Sequence, residues 1–264
     1  METLVFGHTQ LSIEAGELVS FQVNKKELIH QKGSPGWRNS DTEMFPVIGP
    51  TSETQNRIQV PKGNAIQDQH GLLRELQYVL KSRTETNAIF GKTYKAGTVV
   101  KNSKFPDKSD SPLLVWPYSF EFEKSISVSE AAVEISFTIR GDKEMPYMIG
   151  YHPAFKINTI KPQIKSKDKI ISLTEILAVG NRAMEIADCQ DIELIDDYEL
   201  KISTAGFKHF MLWTEVPNML CIEPITFYPY ALPQSLLHEG FAYLDDGPVT
   251  FKVVMEFKEK SECK

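Results

Sequence analysis

The stretch AAVEISFTIR, residues 131–140, sets Val133, Ile135, Phe137 and Ile139 at every second position with Glu134, Ser136, Thr138 and Arg140 between them. A strand turns successive side chains to opposite faces, whereas a helical face needs spacings of three and four, so this segment commits to a half-buried β-strand. The run before it carries Phe120, Phe122, Ile126 and Val128, and the two read as antiparallel neighbours. Near the end, Tyr243 and Leu244 lead into Asp246-Gly247, and Phe251, Val253, Met255 and Phe257 then alternate, which predicts a hairpin-like turn into a final strand. Shorter strands are expected over 3–7, 17–23, 27–31, 209–216 and 219–223. Such a chain must close or cover its sheet edges, so the expectation is an all-β antiparallel sandwich or a barrel.

One segment runs against this pattern. In HGLLRELQYVLKS, Leu72, Leu73, Leu76, Val79 and Leu80 fit a helical stripe, and the local pattern predicts a helix. A second, shorter helix is expected over 173–178. The polar stretch KNSKFPDKSDSP, residues 101–112, reads as a surface loop, and KEKSECK at the end as a frayed tail. Strand patterning resumes after the loop, so residues 1–264 are read as one domain.

Composition narrows the function classes. The formal charge is −6, and the 29 Lys and Arg are scattered without a basic block that could follow a phosphate backbone, so no nucleic-acid partner is expected. No run approaches the ~18 apolar residues of a membrane span, and METLVFGHTQLSIEAGE lacks a charged leader followed by an apolar stretch. No membrane partner is therefore expected, and the expected location is cytoplasmic. Cys189, Cys221 and Cys263 form no CxxC, and no two of the six histidines lie at i, i+2 or i, i+4, so no metal is expected.

Four islands set a polar or ionisable residue beside Gly or Pro in apolar surroundings: WRNSDTEMFPVIG (37–49), DQHGLLREL (68–76), GYHPAF (150–155) and LCIEPI (220–225). Singly, each is compatible with a structural role. Their order resembles the aldose 1-epimerase, or galactose mutarotase-like, family in the branch with FPxxG, HGxxR, GxHPAF and IEP segments. Here these are Phe45-Pro46-Val47-Ile48-Gly49, His70-Gly71-Leu72-Leu73-Arg74, Gly150-Tyr151-His152-Pro153-Ala154-Phe155 and Ile222-Glu223-Pro224.

The resemblance implies a many-stranded antiparallel supersandwich with a sugar cleft across one sheet. It also implies that HGLLREL begins extended, against the helical reading. The implied chemistry interconverts the α and β anomers of an aldose, here a free hexose. Ring opening removes a proton from the anomeric hydroxyl and supplies one to the ring oxygen, which needs a base and an acid and no cofactor. The resemblance assigns His152 and Glu223 as catalytic residues on opposite sides of the sugar's C1–O5 edge, Glu223 as base and His152 as acid. It assigns His70 and Arg74 to substrate binding. A carboxyl near its usual ~4.3 and an imidazole near ~6.5 suit those tasks at neutral pH. Gly150 and Pro153 would constrain how the His152 ring is presented, and strand alternation turns Tyr151 away from it.

Aromatic rings can stack on the apolar face of a pyranose; of Trp37, Phe45, Trp213, Phe227 and Tyr228, Trp213 is the chosen candidate. The sequence departs from its relatives where Pro50-Thr51, not Arg, follows the FPxxG glycine, with Arg57 further on. No sugar-binding aspartate is singled out among Asp188, Asp191, Asp196 and Asp197. The expected partner is a small-molecule monosaccharide, and the expected assembly a monomer or homodimer. Two alternatives remain: a hexose-6-phosphate 1-epimerase, for which Arg38, Arg57 and Arg74 form no evident cluster in the sequence, and a non-catalytic carbohydrate-binding protein on the same fold.

Overall fold

The two alternating runs form the antiparallel pair Phe120–Val128 and Val133–Gly141, in register from Phe120 opposite Gly141 to Val128 opposite Val133. The structure is a computed structural model that describes residues 1–38, 42–130, 132–167 and 169–259. The pair lies within a nine-stranded antiparallel sheet, ordered Lys169–Ser172, Gln163–Ser166, Asp191–Ile195, Tyr198–Ala205, Val249–Glu259, Val133–Gly141, Phe120–Val128, Asn87–Tyr94, Val79–Arg83. Its inner face carries Phe122, Ile126, Ile135, Phe137 and Ile139, all buried.

A second sheet supplies the other layer, ordered Met184–Ile186, His209–Trp213, Met219–Ile225, Gly150–Tyr151, Glu43–Met44, with Ala154–Lys156 also pairing to Met219–Ile225. Aromatic side chains fill the space between the layers: Phe137 meets Tyr151 at 5.2 Å between ring centroids, and Phe45 meets Phe122 at 5.3 Å. A four-stranded sheet of Glu2–Phe6, Thr9–Glu14, Glu17–Val23 and Lys26–Glu27 adds Leu4, Leu11 and Phe21 to one continuous core that runs through to Met255. The fold is the expected antiparallel supersandwich.

One inward position is not apolar. Lys124 falls in phase with Phe122 and Ile126, is fully buried, and puts Nζ 2.8 Å from Oε1 of Glu43 on the facing sheet. Burial alone would raise the Glu43 carboxyl, but Lys124, together with Lys92, outweighs it and holds the group below its usual value. The two layers are therefore joined by a buried ion pair as well as by apolar packing.

Three expectations are corrected. Asp246-Gly247 does not close a hairpin: Ala242–Tyr243 pairs with Pro146–Tyr147, while Val249–Glu259 enters the nine-stranded sheet between Val133–Gly141 and Tyr198–Ala205. A turn dipeptide reports a change of direction, not which strands pair after it. The helix expected over the HGLLREL island is one 3-10 turn, Leu72–Glu75, followed by the strand Val79–Arg83. Leu72 and Leu73 enter the core, whereas Val79 and Leu80 are 59% and 43% exposed on an edge strand, so the apparent stripe never forms one face. The extended reading of the same island is also wrong over that turn, and the reason is Gly71, which has φ 69°, with a Cβ there falling 2.2 Å from the Phe45 carbonyl oxygen. The short helix does form, as Leu173–Val179, with Ser172 and Glu175 making a reciprocal capping box. Residues 260–264, most of the expected tail and including Cys263, lie outside the described residues. Among the described residues no helix is long and apolar enough to cross a membrane.

Candidate active site

Strand register brings the separated motifs together. Gly150 pairs with Ile225 and Ala154 with Cys221, so the same antiparallel count sets His152 opposite Glu223. On the far side of Glu223 its partner is Met211. On the far side of His152, the pairing of Gly150 with Met44 leads to Thr42, whose carbonyl accepts the His152 backbone N–H at 2.9 Å. Thr42, His152, Glu223 and Met211 thus form one row across four strands, and all four line a cavity of about 740 Å3. Gly150 lets the strands close: a Cβ there would stand 2.4 Å from Met44 Cε and 3.0 Å from Ile225 Cγ2. Tyr151 points the other way, into the core, as alternation predicts.

His152 Nε2 lies 3.4 Å from Glu223 Oε1, side by side on the cavity wall. The spacing is that of an ion pair, yet burial acts against charge on both groups. The imidazole is pushed down to about 3 by burial and then by the Arg74 guanidinium, and burial holds the carboxyl well above its usual range. Burial thus opposes the charged form of both groups: it favours a neutral ring on His152 and disfavours the Glu223 carboxylate. Trp37 stacks on His152 at 5.3 Å and 28°, and Trp213 meets it edge-on at 6.1 Å.

His70 and Arg74 border the same cavity. The His70 ring lies 5.3 Å from that of His152, and its backbone has φ 75°, a region few non-glycine residues occupy. The loop holding it is laced to the FPxxG segment: His70 N–H donates to the Ile48 carbonyl at 2.7 Å, and Phe45 and Leu73 N–H donate to the carbonyls of His70 and Phe45. Burial, followed by Arg74, pushes the His70 imidazole well below its usual value, so it too is neutral. Arg74 Nη2 donates to Thr42 Oγ1 at 3.1 Å, while Arg74 Nε and Nδ1 of both histidines are buried without a protein partner.

Several lining residues lay outside the sequence reading. Asp68 precedes His70 by two and is held below its usual range: burial, which alone would raise it, is outweighed by the Asn102 amide and Lys104. Asn102 belongs to the polar stretch 101–112, which is folded over one end of the cavity rather than loose on the surface. Its Nδ2 donates to Asp68 Oδ2 at 2.9 Å, to Ser109 Oγ at 3.0 Å and to the Ser111 carbonyl at 2.9 Å, and Lys104 Nζ reaches the Gln69 carbonyl at 2.7 Å. Arg38 and Lys108 stand at the mouth. The spacing DxH in DQHG was the one local hint of Asp68; nothing local marked Lys104.

Other candidates lie elsewhere. Phe45 is fully buried in the core, Phe227 and Tyr228 pack against it, and Arg57 is exposed on a separate two-stranded ribbon. Asp196 accepts from the Asn158 and Thr159 backbone, Asp197 pairs with Lys26 at 3.1 Å, and Asp188 and Asp191 border a different depression. Asn39, Ser40 and Asp41 of the first island lie outside the described residues. His152, Cys221 and Glu223 bring ligand atoms within 4.8 Å of one another, but burial, Glu223 and Glu215 push the Cys221 thiol well up and keep it protonated.

The sequence model of the aldose 1-epimerase family matches residues 15–193. The chain belongs to the aldose 1-epimerase family. The matched span takes in the FPxxG, HGxxR and GxHPAF segments and ends before Glu223, which the strand register supplies. Solved structures share the family fold over nearly the whole chain. A galactose mutarotase-like protein from Lactobacillus casei ATCC 334 superposes with a TM-score of 0.79 at 14% identity, covering 98% of this chain and 100% of its own. A galactose mutarotase related enzyme from Lactobacillus acidophilus gives 0.79 at 17% identity, covering 99% and 98%. A galactose mutarotase-like protein from Clostridium acetobutylicum gives 0.65 at 12%, covering 97% and 94%. None of the functionally curated proteins compared with this chain matches it significantly.

Proposed function

We propose that this chain is an aldose 1-epimerase that interconverts the α and β anomers of an aldose by opening and reclosing its pyranose ring, with His152 and Glu223 as the proton-transfer pair. The observation that carries the reading is their placement: an imidazole and a carboxyl 3.4 Å apart, on adjacent strands, facing one cavity large enough for a monosaccharide. The anomeric hydroxyl and the ring oxygen are both bonded to C1, so groups standing side by side reach both at once. They need not flank the sugar on opposite sides.

The proton inventory suits the reaction. With one proton shared by the pair, one group can take the hydroxyl proton as the other protonates the ring oxygen; the O–H electron pair becomes the second C1–O bond and the C1–O5 bond breaks. Rotation about C1–C2 and the reverse transfers close the ring on the other face. Glu223 acts as base once its proton has crossed to His152, and the displaced proton is then the one delivered to the ring oxygen. His70, neutral, donates a hydrogen bond to the sugar, and Arg74 adds positive potential where negative charge develops. Trp37 and Trp213 bound the site with flat apolar surface.

Polarimetry on freshly dissolved α-D-glucose or α-D-galactose, or their charged derivatives, tests the reading. Wild-type protein speeds relaxation of the optical rotation, and Glu223→Gln and His152→Asn each slow it by at least ~10²-fold with the fold intact. Relaxation at the buffer rate would leave a sugar-binding protein, and wild-type rates in either variant would dismiss the assigned pair.

A further inference from the structure

The imidazole of His152 is walled by rings. It stacks on the Trp37 indole at 5.3 Å between centroids and 28° between planes, and it meets His70 and Trp213 edge-on at 5.3 and 6.1 Å. In many sites the plane of a working histidine is set by a hydrogen bond at the ring nitrogen facing away from the chemistry. Here Nε2 faces Glu223 at 3.4 Å, and Nδ1 is buried with no hydrogen-bond partner elsewhere in the protein. Packing must therefore orient this ring, and a near-parallel ring against its face is the contact that resists rotation out of plane.

Trp37 is held for that contact from two sides. The chain before it runs beside the strand that follows His152: Ile29 bridges to Phe155, and His30 N–H donates to the Ala154 carbonyl at 2.9 Å. It then folds into a turn in which His30 Nε2 lies 3.0 Å from the Pro35 carbonyl oxygen. Within the turn Trp37 N–H donates to the Ser34 carbonyl and Gly33 N–H to the Trp37 carbonyl, both at 3.0 Å. Gly36 has φ 80°, and a Cβ there would stand 2.6 Å from Val216 Cγ2, so the turn is pressed onto the segment that follows Trp213. The indole also joins a small apolar cluster with Ala154, Met219 and Cys221, the last two on the strand of Glu223. Trp37 is 7% exposed, too enclosed to offer a broad face to a sugar, whereas Trp213 is half-buried and also lines the cavity.

We propose that Trp37 is a positioning residue: its indole, stacked on His152, holds the imidazole plane in the orientation used for proton transfer, and it is not a platform for the sugar. This rests on the epimerase reading for the use made of the imidazole, but the placement itself is read without turnover. Polarimetry on α-D-glucose and α-D-galactose gives kcat and KM. Trp37→Leu keeps apolar bulk without a ring and lowers kcat at least ~10-fold with KM within ~2-fold of wild type, and Trp37→Phe restores most of kcat. A raised KM at unchanged kcat would make Trp37 a sugar platform and overturn the proposal, as would a Trp37→Phe enzyme no better than Trp37→Leu. Should Trp37→Leu not fold, Trp37→Phe decides alone: near-wild-type kcat and KM uphold the proposal, and a raised KM at unchanged kcat overturns it. Nuclear magnetic resonance of sugar-free protein carrying isotope-labelled histidine supplies the second readout. The ring-proton resonances that His152→Asn removes lie upfield under the indole ring current and return downfield in Trp37→Leu or, less far, in Trp37→Phe. Unmoved resonances overturn the placement whatever the activity. Moved resonances in a protein that leaves the optical rotation relaxing at the buffer rate sink the epimerase reading alone, and fast anomerisation with kcat and KM unchanged in Trp37→Leu sinks the positioning role alone.

Discussion

The protonation state of His152 can be read through stability. Its imidazole falls from 6.5 to about 3 in the folded chain because burial and Arg74 oppose its charge. Between those values the unfolded chain binds a proton that the folded chain refuses, so the contribution of this residue to stability is intact above 6.5 and declines as pH falls. At 1.36 kcal/mol per pH unit, two units below the unfolded value amounts to about 3 kcal/mol. Asparagine does not titrate, so His152→Asn lacks this penalty while every other group contributes to both proteins alike. Urea unfolding followed by circular dichroism at pH 7.5 and 4.5 gives the comparison. The variant gains about 3 kcal/mol on wild type between the two pH values. A gain near zero would mean that the folded imidazole titrates normally. The opposite sign, with wild type gaining as pH falls through 6.5, would mean that His152 and Glu223 form a charged pair in the free protein and that both are assigned the wrong proton.

Two further perturbations probe the frame around the site. Lys124→Met leaves Glu43 buried without its paired ammonium, with Lys92 as the remaining cationic neighbour, and is expected to cost about 3–5 kcal/mol in urea unfolding; a loss below about 1 kcal/mol would show that Lys92 or uptake of a proton compensates. Gly71→Ala combines a left-handed backbone with a Cβ 2.2 Å from a carbonyl oxygen, and a cost above about 2 kcal/mol, read as a lower melting temperature, is expected. A melt like that of wild type would mean that the turn beneath His70 can refold another way.

The layers were legible in the sequence because alternation is local and each strand carries its own evidence, as in Val133–Ile139. The same rule was blind to Lys124, which keeps the inward phase while breaking the apolar pattern; only the facing sheet shows that Glu43 meets it. His152, Glu223, His70 and Arg74 were singled out because the order of the four islands resembles a family pattern, no island being decisive alone, and Trp213 lies one row from Glu223, opposite Cys221. Trp37, passed over, stacks directly on His152. Lys104 and Asn102 were read as loop because polar composition looks the same in water and over a polar cavity, and the contact that decides between them, to Asp68, spans 34 positions.

The site depends more on register than on any loop. Because Thr42, His152, Glu223 and Met211 are one cross-strand row, slipping any one strand by a single residue would turn its member from the cavity into the core. Two devices hold that register at His152. The bare Cα of Gly150 admits Met44 and Ile225, and the buried strand Met219–Ile225 pairs with Gly150 on one side of His152-Pro153 and with Ala154–Lys156 on the other. Pro153 supplies no N–H, so the ladder is interrupted at the proline while the count continues across it. His152 itself is anchored by its backbone N–H to the Thr42 carbonyl, and the Thr42 hydroxyl also receives Arg74. One threonine thus ties the position of His152 to that of the Arg74 guanidinium, so a shift of the strand end at Thr42 would move both cavity-lining groups together.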